Sequence, residues 1–268
     1  MQPATLANYH THTSLCHHAS GTEEEYIQVA IQNGFQILGF SDHAPFPTTE
    51  DYLNGFRMSC DELPEHVKTI RALQKKYADQ IKIYLGFEAE YFPEHLDWLE
   101  AQMEHYQLDY LGLGHHFDPL RGEDGYFGAV RQAVHFTAYE KTSIAAMESG
   151  KFRFFAHPDL YLNAYHSFDK ACEHTAHAIC EAAAALGMPL EYNLLGVDRR
   201  ASGDAFSSGL GYTRPEFWEI AAKYNTKAII GCDAHAPSQL DHGKRIVALK
   251  QQLRDTGIEV LDVLPGLD

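Results

Sequence analysis

Six short apolar runs in this chain each end in a histidine or a carboxylic acid. They are Asn8 to His12, Leu38 to His43, Tyr84 to Glu88, Asp109 to His116, Phe154 to His157 and Ile230 to His235. Core packing gives a strand no reason to finish in an imidazole or a carboxylate. A parallel sheet does, because its strands point their C-terminal ends the same way and can bring distant side chains to one place. The pattern therefore restricts the chain to folds in which many strand ends converge, and the residue types point to metal chemistry.

Strand-like and helix-like segments alternate along the sequence. Thr22-Glu23-Glu24-Glu25 reads as a capping box that opens a helix closed by Gly34. Strands follow at 35–40, 81–88, 108–113, 152–156, 189–194 and 226–232. Helices are expected at 63–77, 94–106, 130–147, 168–186 and 215–224, and a last one at 239–254 starting from a Ser238 cap. This is about seven β-then-α units, the signature of an α/β fold with a parallel sheet and helices outside. A doubly wound sheet places its site at one switch point. A barrel brings all strand ends to one mouth. Because nearly every strand end carries a candidate ligand, the expectation is a distorted (β/α)7 barrel with the site at the C-terminal ends of its strands. The segments 45–59 and 118–127 are long enough to form a lid. Residues 1–268 show no interdomain linker or repeat, so one domain is expected.

The formal charge of -16, from 37 acids against 21 bases, repels polyanions and makes a nucleic acid an unlikely main partner. The five cysteines form no CxxC pair, which suggests reduced thiols in a cytoplasm. The N-terminus has no signal-peptide pattern, and no run approaches the ~18 apolar residues of a membrane span. Nothing in the sequence sets the oligomeric state. Histidine stands out, at 17 copies.

His10 and His12 are two apart on an expected strand, so both side chains leave one face and can chelate one metal. Asp233-Ala234-His235 repeats the spacing with a carboxylate. Glu88 offers two oxygens, enough to bridge two cations. Mixed imidazole and carboxylate donors suit Zn, Fe or Mn better than Ca or Mg. His174 and His177, three apart on a helix, could also hold a metal on its surface, but a solvated polar face is the better explanation of them.

The ordered set resembles the polymerase and histidinol phosphatase (PHP) superfamily, and within it the histidinol-phosphate phosphatases. The resemblance is carried by His10-Thr11-His12-Thr13, Cys16-His17-His18-Ala19-Ser20-Gly21, Ser41-Asp42-His43, Gly86-Phe87-Glu88-Ala89-Glu90, Gly114-His115-His116-Phe117, Ala156-His157-Pro158-Asp159 and Gly231-Cys232-Asp233-Ala234-His235. It implies a distorted barrel of seven β/α units with three divalent metals. His10, His12, Glu88 and Asp233 would hold the first metal. Glu88 would bridge to a second, completed by His116 and His157, and His18, His43 and His235 would hold the third. The doublets leave His17 and His115 as alternatives to His18 and His116. Asp159 is a candidate proton donor to the leaving group. Arg57, in Phe56-Arg57-Met58, and Arg199 resemble the family's substrate-binding arginines. Here Arg199 is displaced by one position and has Arg200 beside it.

The implied activity is phosphomonoester hydrolysis, with L-histidinol phosphate of histidine biosynthesis as the substrate. A hydroxide bridging the first two metals would attack phosphorus in line. The alternatives are a phosphoesterase on other small phosphates or nucleotides, a nuclease, and a non-catalytic metal-binding protein. An amidohydrolase barrel also begins His-x-His, but it relies on a strand-end lysine that this chain lacks.

Overall fold

The computed structural model describes residues 5–48, 55–204, 206 and 208–267. Eight strands run parallel and in sequence order: β1 (Ala7–Asn8), β2 (Ile37–Phe40), β3 (Lys82–Ala89), β4 (Tyr110–Leu113), β5 (Phe154–Phe155), β6 (Leu190–Asn193), β7 (Lys227–Gly231) and β8 (Glu259–Val260). Helices α1 (Glu23–Gln32), α2 (Leu63–Lys76), α3 (Leu96–Tyr106), α4 (Phe136–Glu148), α5 (Lys170–Leu186), α6 (Leu194–Ser202), α7 (Pro215–Lys223) and α8 (Gly243–Asp255) fill the crossovers.

The sheet curls until its first and seventh strands meet. Past their regular ends they join through a parallel bridge, Thr11 to Ala234, with His12 N donating to Ala234 O at 2.9 Å. At the base of the same edge β7 pairs instead with β8, Lys227 opposite Glu259 and Ala228 opposite Val260. The barrel thus has seven strands at its mouth, as the sequence implies, and an eighth wedged into the seam below. The strand β8 was not expected, because two residues are too few to show a periodicity.

Alternation along the strands builds the interior in layers. On β3, Ile83, Leu85 and Phe87 pack outward under the helices, while Tyr84, Gly86 and Glu88 face the axis. A base layer holds Tyr9, Tyr84, Tyr110 and Phe154, with Leu264 and Leu267 of the C-terminal segment inserted from below. Tyr84 Oη donates to the Leu267 carbonyl, and Leu264 N donates to Tyr9 Oη at 3.2 Å. Two glycines then make room for acids above. A Cβ at Gly114 would lie 2.4 Å from the Glu88 side chain, and one at Gly231 would lie 1.8 Å from Glu191 Oε1.

Local signals account for several helix ends. Thr22 Oγ1 accepts from Glu25 N, and Glu25 Oε2 accepts from Thr22 N at 2.7 Å, the reciprocal capping expected for α1. Asp169 caps α5, whose buried face is small: Cys172, Ala176, Ile179, Cys180 and Ala183. Gly187 ends it in the left-handed region. The last helix starts later than expected. A 3-10 turn occupies Pro237–Leu240, and α8 begins at Gly243, so Ser238 is not its cap. Helix α4 likewise follows a 3-10 turn at Ala133–His135 rather than starting at 130. Helix α6 was not expected. It begins directly at the end of β6, capped by Asn193 Oδ1, which accepts from Gly196 N at 2.9 Å.

No helix among the described residues is long and apolar enough to cross a membrane. Residues 49–54 of the first expected lid segment lie outside the described residues.

Candidate metal centre

All nine expected donors gather at the mouth of the barrel. The strand β1 stops at Asn8, so His10 and His12 lie just beyond it rather than on it. The buried Asn8 side chain takes over the backbone bonding there. Its Oδ1 accepts from Cys232 N at 2.8 Å, and its Nδ2 donates to Thr11 Oγ1 at 2.7 Å. His10 Nε2 and His12 Nε2 end 3.1 Å apart. Two lone-pair donors this close repel unless a proton or a cation lies between them.

The donor spacing fits a cation. A tetrahedral site with ~2.0–2.1 Å bonds has edges of about 3.3 Å. Five of the six spacings among the facing atoms of His10, His12, Glu88 and Asp233 lie between 3.1 and 3.5 Å. Glu88 stands at the centre. Its Oε1 lies 2.7 Å from His157 Nε2 and 3.5 Å from His116 Nε2. Its Oε2 lies 2.9 Å from His43 Nδ1. At the outer rim His18 Nε2 and His235 Nε2 are 2.9 Å apart, and with His43 they form a third group of facing donors.

Both doublets are divided by the backbone. His17 has a left-handed φ of 66° and turns its Nε2 to the Arg57 carbonyl, while His18 faces the cluster. His115 is fully buried and bonds Thr142 Oγ1 at 2.6 Å, with Phe127 and Tyr139 around it, leaving His116 at the site. Two donors themselves carry left-handed backbone, His157 at φ 32° and Asp233 at φ 49°. For residues with a Cβ such geometry costs about 1–3 kcal/mol each, and it aims side chains where a regular strand would not.

A second set of acids holds these imidazoles, and the sequence reading had not assigned it a role. Glu191 Oε1 accepts from His10 Nδ1 at 2.7 Å, and its Oε2 accepts from His157 N at 3.0 Å. Glu90 Oε1 accepts from His116 Nδ1 at 2.7 Å. Asn193 Nδ2 donates to both Glu191 and Asp233. Such partners fix which ring nitrogen faces the metal and raise its basicity. The signal was available: Glu191 and Asn193 are two apart in an apolar strand, the same spacing that singles out His10 and His12. Asp42 plays a related part, its Oδ1 accepting from Thr13 N at 2.7 Å to pin the turn that carries His18. The variant Glu191→Gln is expected to weaken metal affinity about 10–100-fold. Competition with a chelator, followed by the metal retained, measures this.

The charges also call for cations. Glu88, Glu90, Glu191 and Asp233 are all buried. Burial alone would push the Glu88 carboxyl up, yet His116, His10 and His43 hold it well below the usual carboxylate range. Asp233 is lowered in the same way, chiefly by His10 and the bond from His12. Burial acts against the charged form of His10, but Glu191, Asp233 and Glu88 outweigh it and raise the imidazole well above its ordinary value. His116 is raised to about 9 by Glu88 and Glu90 against the same burial. The acids thus favour positive charge in this cluster, and a divalent cation bound there would displace any proton on the ring nitrogens that face it.

Above the donors opens a cavity of about 490 Å³. Its floor contains every expected donor except His10, which lies behind them. Its walls are largely aromatic, with Phe56, Phe117, Tyr126, Phe206 and Tyr212, and Arg199 is the cation among the described lining residues. Two other expected contacts lie elsewhere. Arg57 is 1% exposed, packs against the Phe46 and Phe56 rings, and donates to the Ala44 carbonyl at 2.8 Å. It therefore braces the wall from behind instead of lining the cavity. Asp159, two residues after His157, is fully buried outside the cavity lining, and its Oδ2 accepts from Arg214 N at 2.6 Å. That placement gives no support to Asp159 as proton donor. It holds the turn at Thr213, where a β-branched residue adopts a φ of 56°, and this turn carries Tyr212 into the cavity.

Known proteins resemble this chain in sequence and fold. Residues 8–194 match the PHP domain. A relative from Deinococcus radiodurans, named "Probable histidinol-phosphatase", is 30% identical over 94% of both chains. The Bacillus subtilis "Histidinol-phosphatase" is 32% identical over 44% of this chain and 45% of its own. Among solved structures, histidinol phosphate phosphatase from Lactococcus lactis, complexed with zinc, L-histidinol and phosphate, superposes with a TM-score of 0.67. It is 18% identical and covers 96% of this chain and 95% of its own, a likeness of fold. The matched span runs from β1 to the junction of β6 and α6, and the Deinococcus relative extends the likeness across nearly the whole chain. This chain belongs to the PHP domain family.

Proposed function

We propose that this chain is a single-domain, metal-dependent phosphomonoesterase that hydrolyses L-histidinol phosphate to histidinol and phosphate in histidine biosynthesis. The observation that carries the reading is the cluster built around Glu88, where one carboxylate meets imidazoles on both of its oxygens under an aromatic-walled cavity. The names of the relatives, and the zinc, histidinol and phosphate of the Lactococcus structure, support the same substrate. Five thiols without CxxC spacing suit a reducing cytoplasm.

His10, His12, Glu88 and Asp233 would hold one cation. Glu88, His116 and His157 would hold a second, and His18, His43 and His235 a third. Zinc, iron or manganese all fit these donors. Bound cations of this class neutralise a phosphate dianion and supply hydroxide near neutral pH. The protein's own groups do the rest. Glu88 and Asp233 fix the spacing of the donors, and Glu191, Glu90 and Asn193 orient them. Arg199, a quarter exposed at the cavity wall, offers a guanidinium to an anionic oxygen. The aromatic walls suit a flat leaving group.

Phosphate release from a panel of monoesters tests the reading, on protein whose metal content has been measured. L-histidinol phosphate should lead nucleotides and sugar phosphates by about 100-fold or more in kcat/KM, since buried polar contacts discriminate strongly. Chelation should abolish turnover, and zinc or manganese should restore it. Equal rates across the panel would move the assignment to a broad phosphoesterase.

A further inference from the structure

The cavity has a roof made of two separate loops, and one side chain joins them. The first loop leaves His116 as a hairpin closed by the Phe117–Tyr126 bridge and continues into a 3-10 turn at Phe127–Ala129. The second follows α6 and carries Phe206, which is 39% exposed at the cavity wall with the Arg199 guanidinium 4.3 Å above its ring. Tyr126 and Phe206 face each other across the opening, with ring centroids 6.3 Å apart.

Asn163, 1% exposed, lies behind both loops. Its Nδ2 donates to Gly128 O of the first loop at 3.0 Å and to Phe206 O of the second at 2.8 Å. Both acceptors are carbonyls, so the amide nitrogen must point at them. The backbone carbonyl of Asn163 accepts from Gly209 N and Gly211 N, each at 3.1 Å. Only a side chain with two donors on one atom can tie two loops this way at this reach. An aspartate of the same shape has none.

We infer that Asn163 is a positioning residue: it locks the two roof loops in one arrangement over the metal mouth and so sets which leaving alcohol the site accepts. This rests on the phosphatase reading above. The residue touches neither the donors nor the cavity, so its effect falls on recognition of the alcohol through the rings of Tyr126 and Phe206. A small alcohol that does not reach the roof is insensitive to it.

The test compares Asn163→Asp with the wild-type enzyme on L-histidinol phosphate and on glycerol phosphate, with metal content measured alongside. The expected result is a fall of tenfold or more in the preference for histidinol phosphate. It should be expressed in KM, with kcat and bound metal little changed. Phe206→Ala, which removes one roof ring and leaves the hub intact, should lower the same preference even if the aspartate variant fails to fold. Tryptic cleavage after Arg121 and Arg131 gives a readout independent of substrate, and it should accelerate in Asn163→Asp. The inference is overturned if preference and cleavage are both unchanged, or if kcat and metal content fall together. A wild-type enzyme inactive on histidinol phosphate but with accelerated cleavage in the variant would remove the substrate assignment and leave the loop lock standing.

Discussion

Glu88→Gln is expected to lower kcat by about 10⁴-fold, the equivalent of ~5 kcal/mol of lost transition-state stabilisation. The substitution keeps the shape of the side chain in the space left by Gly114, so the barrel should fold. It replaces a charged oxygen by an amide group facing His157 and His116 on one side or His43 on the other. No orientation of the amide can accept on both sides. Elemental analysis of the purified variant should show a loss of bound metal, because Glu88 is the donor common to two of the groups. Turnover and metal content both equal to those of the wild type would mean that Glu88 does not join the cations, and the shared-carboxylate arrangement would have to be abandoned.

Leu264→Ala is expected to destabilise the protein by about 2–5 kcal/mol, far from any donor. Leu264 is fully buried in the base layer beside Tyr9, Tyr84 and Phe154. Its removal leaves a cavity that this layer, with Phe154 already packed against Gly112 and Tyr110 against Gly39 and Gly86, cannot collapse to fill. For a chain of this size the midpoint should fall by roughly 5–15 °C. Thermal melts followed by circular dichroism measure it. Tyr9 precedes His10 and bonds Leu264 N, so metal release on heating should shift down with the melt. A midpoint within 1 °C of wild type would show that the C-terminal segment is an ornament on a barrel closed without it.

The donors were legible in the sequence because imidazoles and acids at the ends of apolar runs have no packing explanation, and because their order matched a known family. The barrel followed from the same observation. Other features left weaker traces. The strand β8 contributes two residues, below any periodic signal. Helix α6 starts on a strand end, where Asn193 is both a strand residue and a cap. Glu191 left only its spacing of two from Asn193, Glu90 looks in sequence like an ordinary acid, and the geometry shows that each accepts from a donor ring. Arg57 matches a motif, but the rings of Phe46 and Phe56 close over it, which no spacing could reveal. The roof was half visible as a long loop at 118–127. Its second half, with Phe206, lies among small polar residues that resemble a plain linker.

The seam between β1 and β7 also bears on how the molecule comes into being. Asn8 bonds Cys232, Tyr9 bonds Leu264, and Lys250 Nζ reaches Thr5 O, so contacts that complete the ring span more than two hundred residues of sequence. Chains dominated by such distant pairings form slowly, since a large loop must close before any contact rewards it. A nascent chain holding only the first six strands would expose a ring lacking one stave, with Asp233 and His235 still to arrive. Completion of the donor cluster is then a late event in biogenesis, one that seals a vessel already curved into shape.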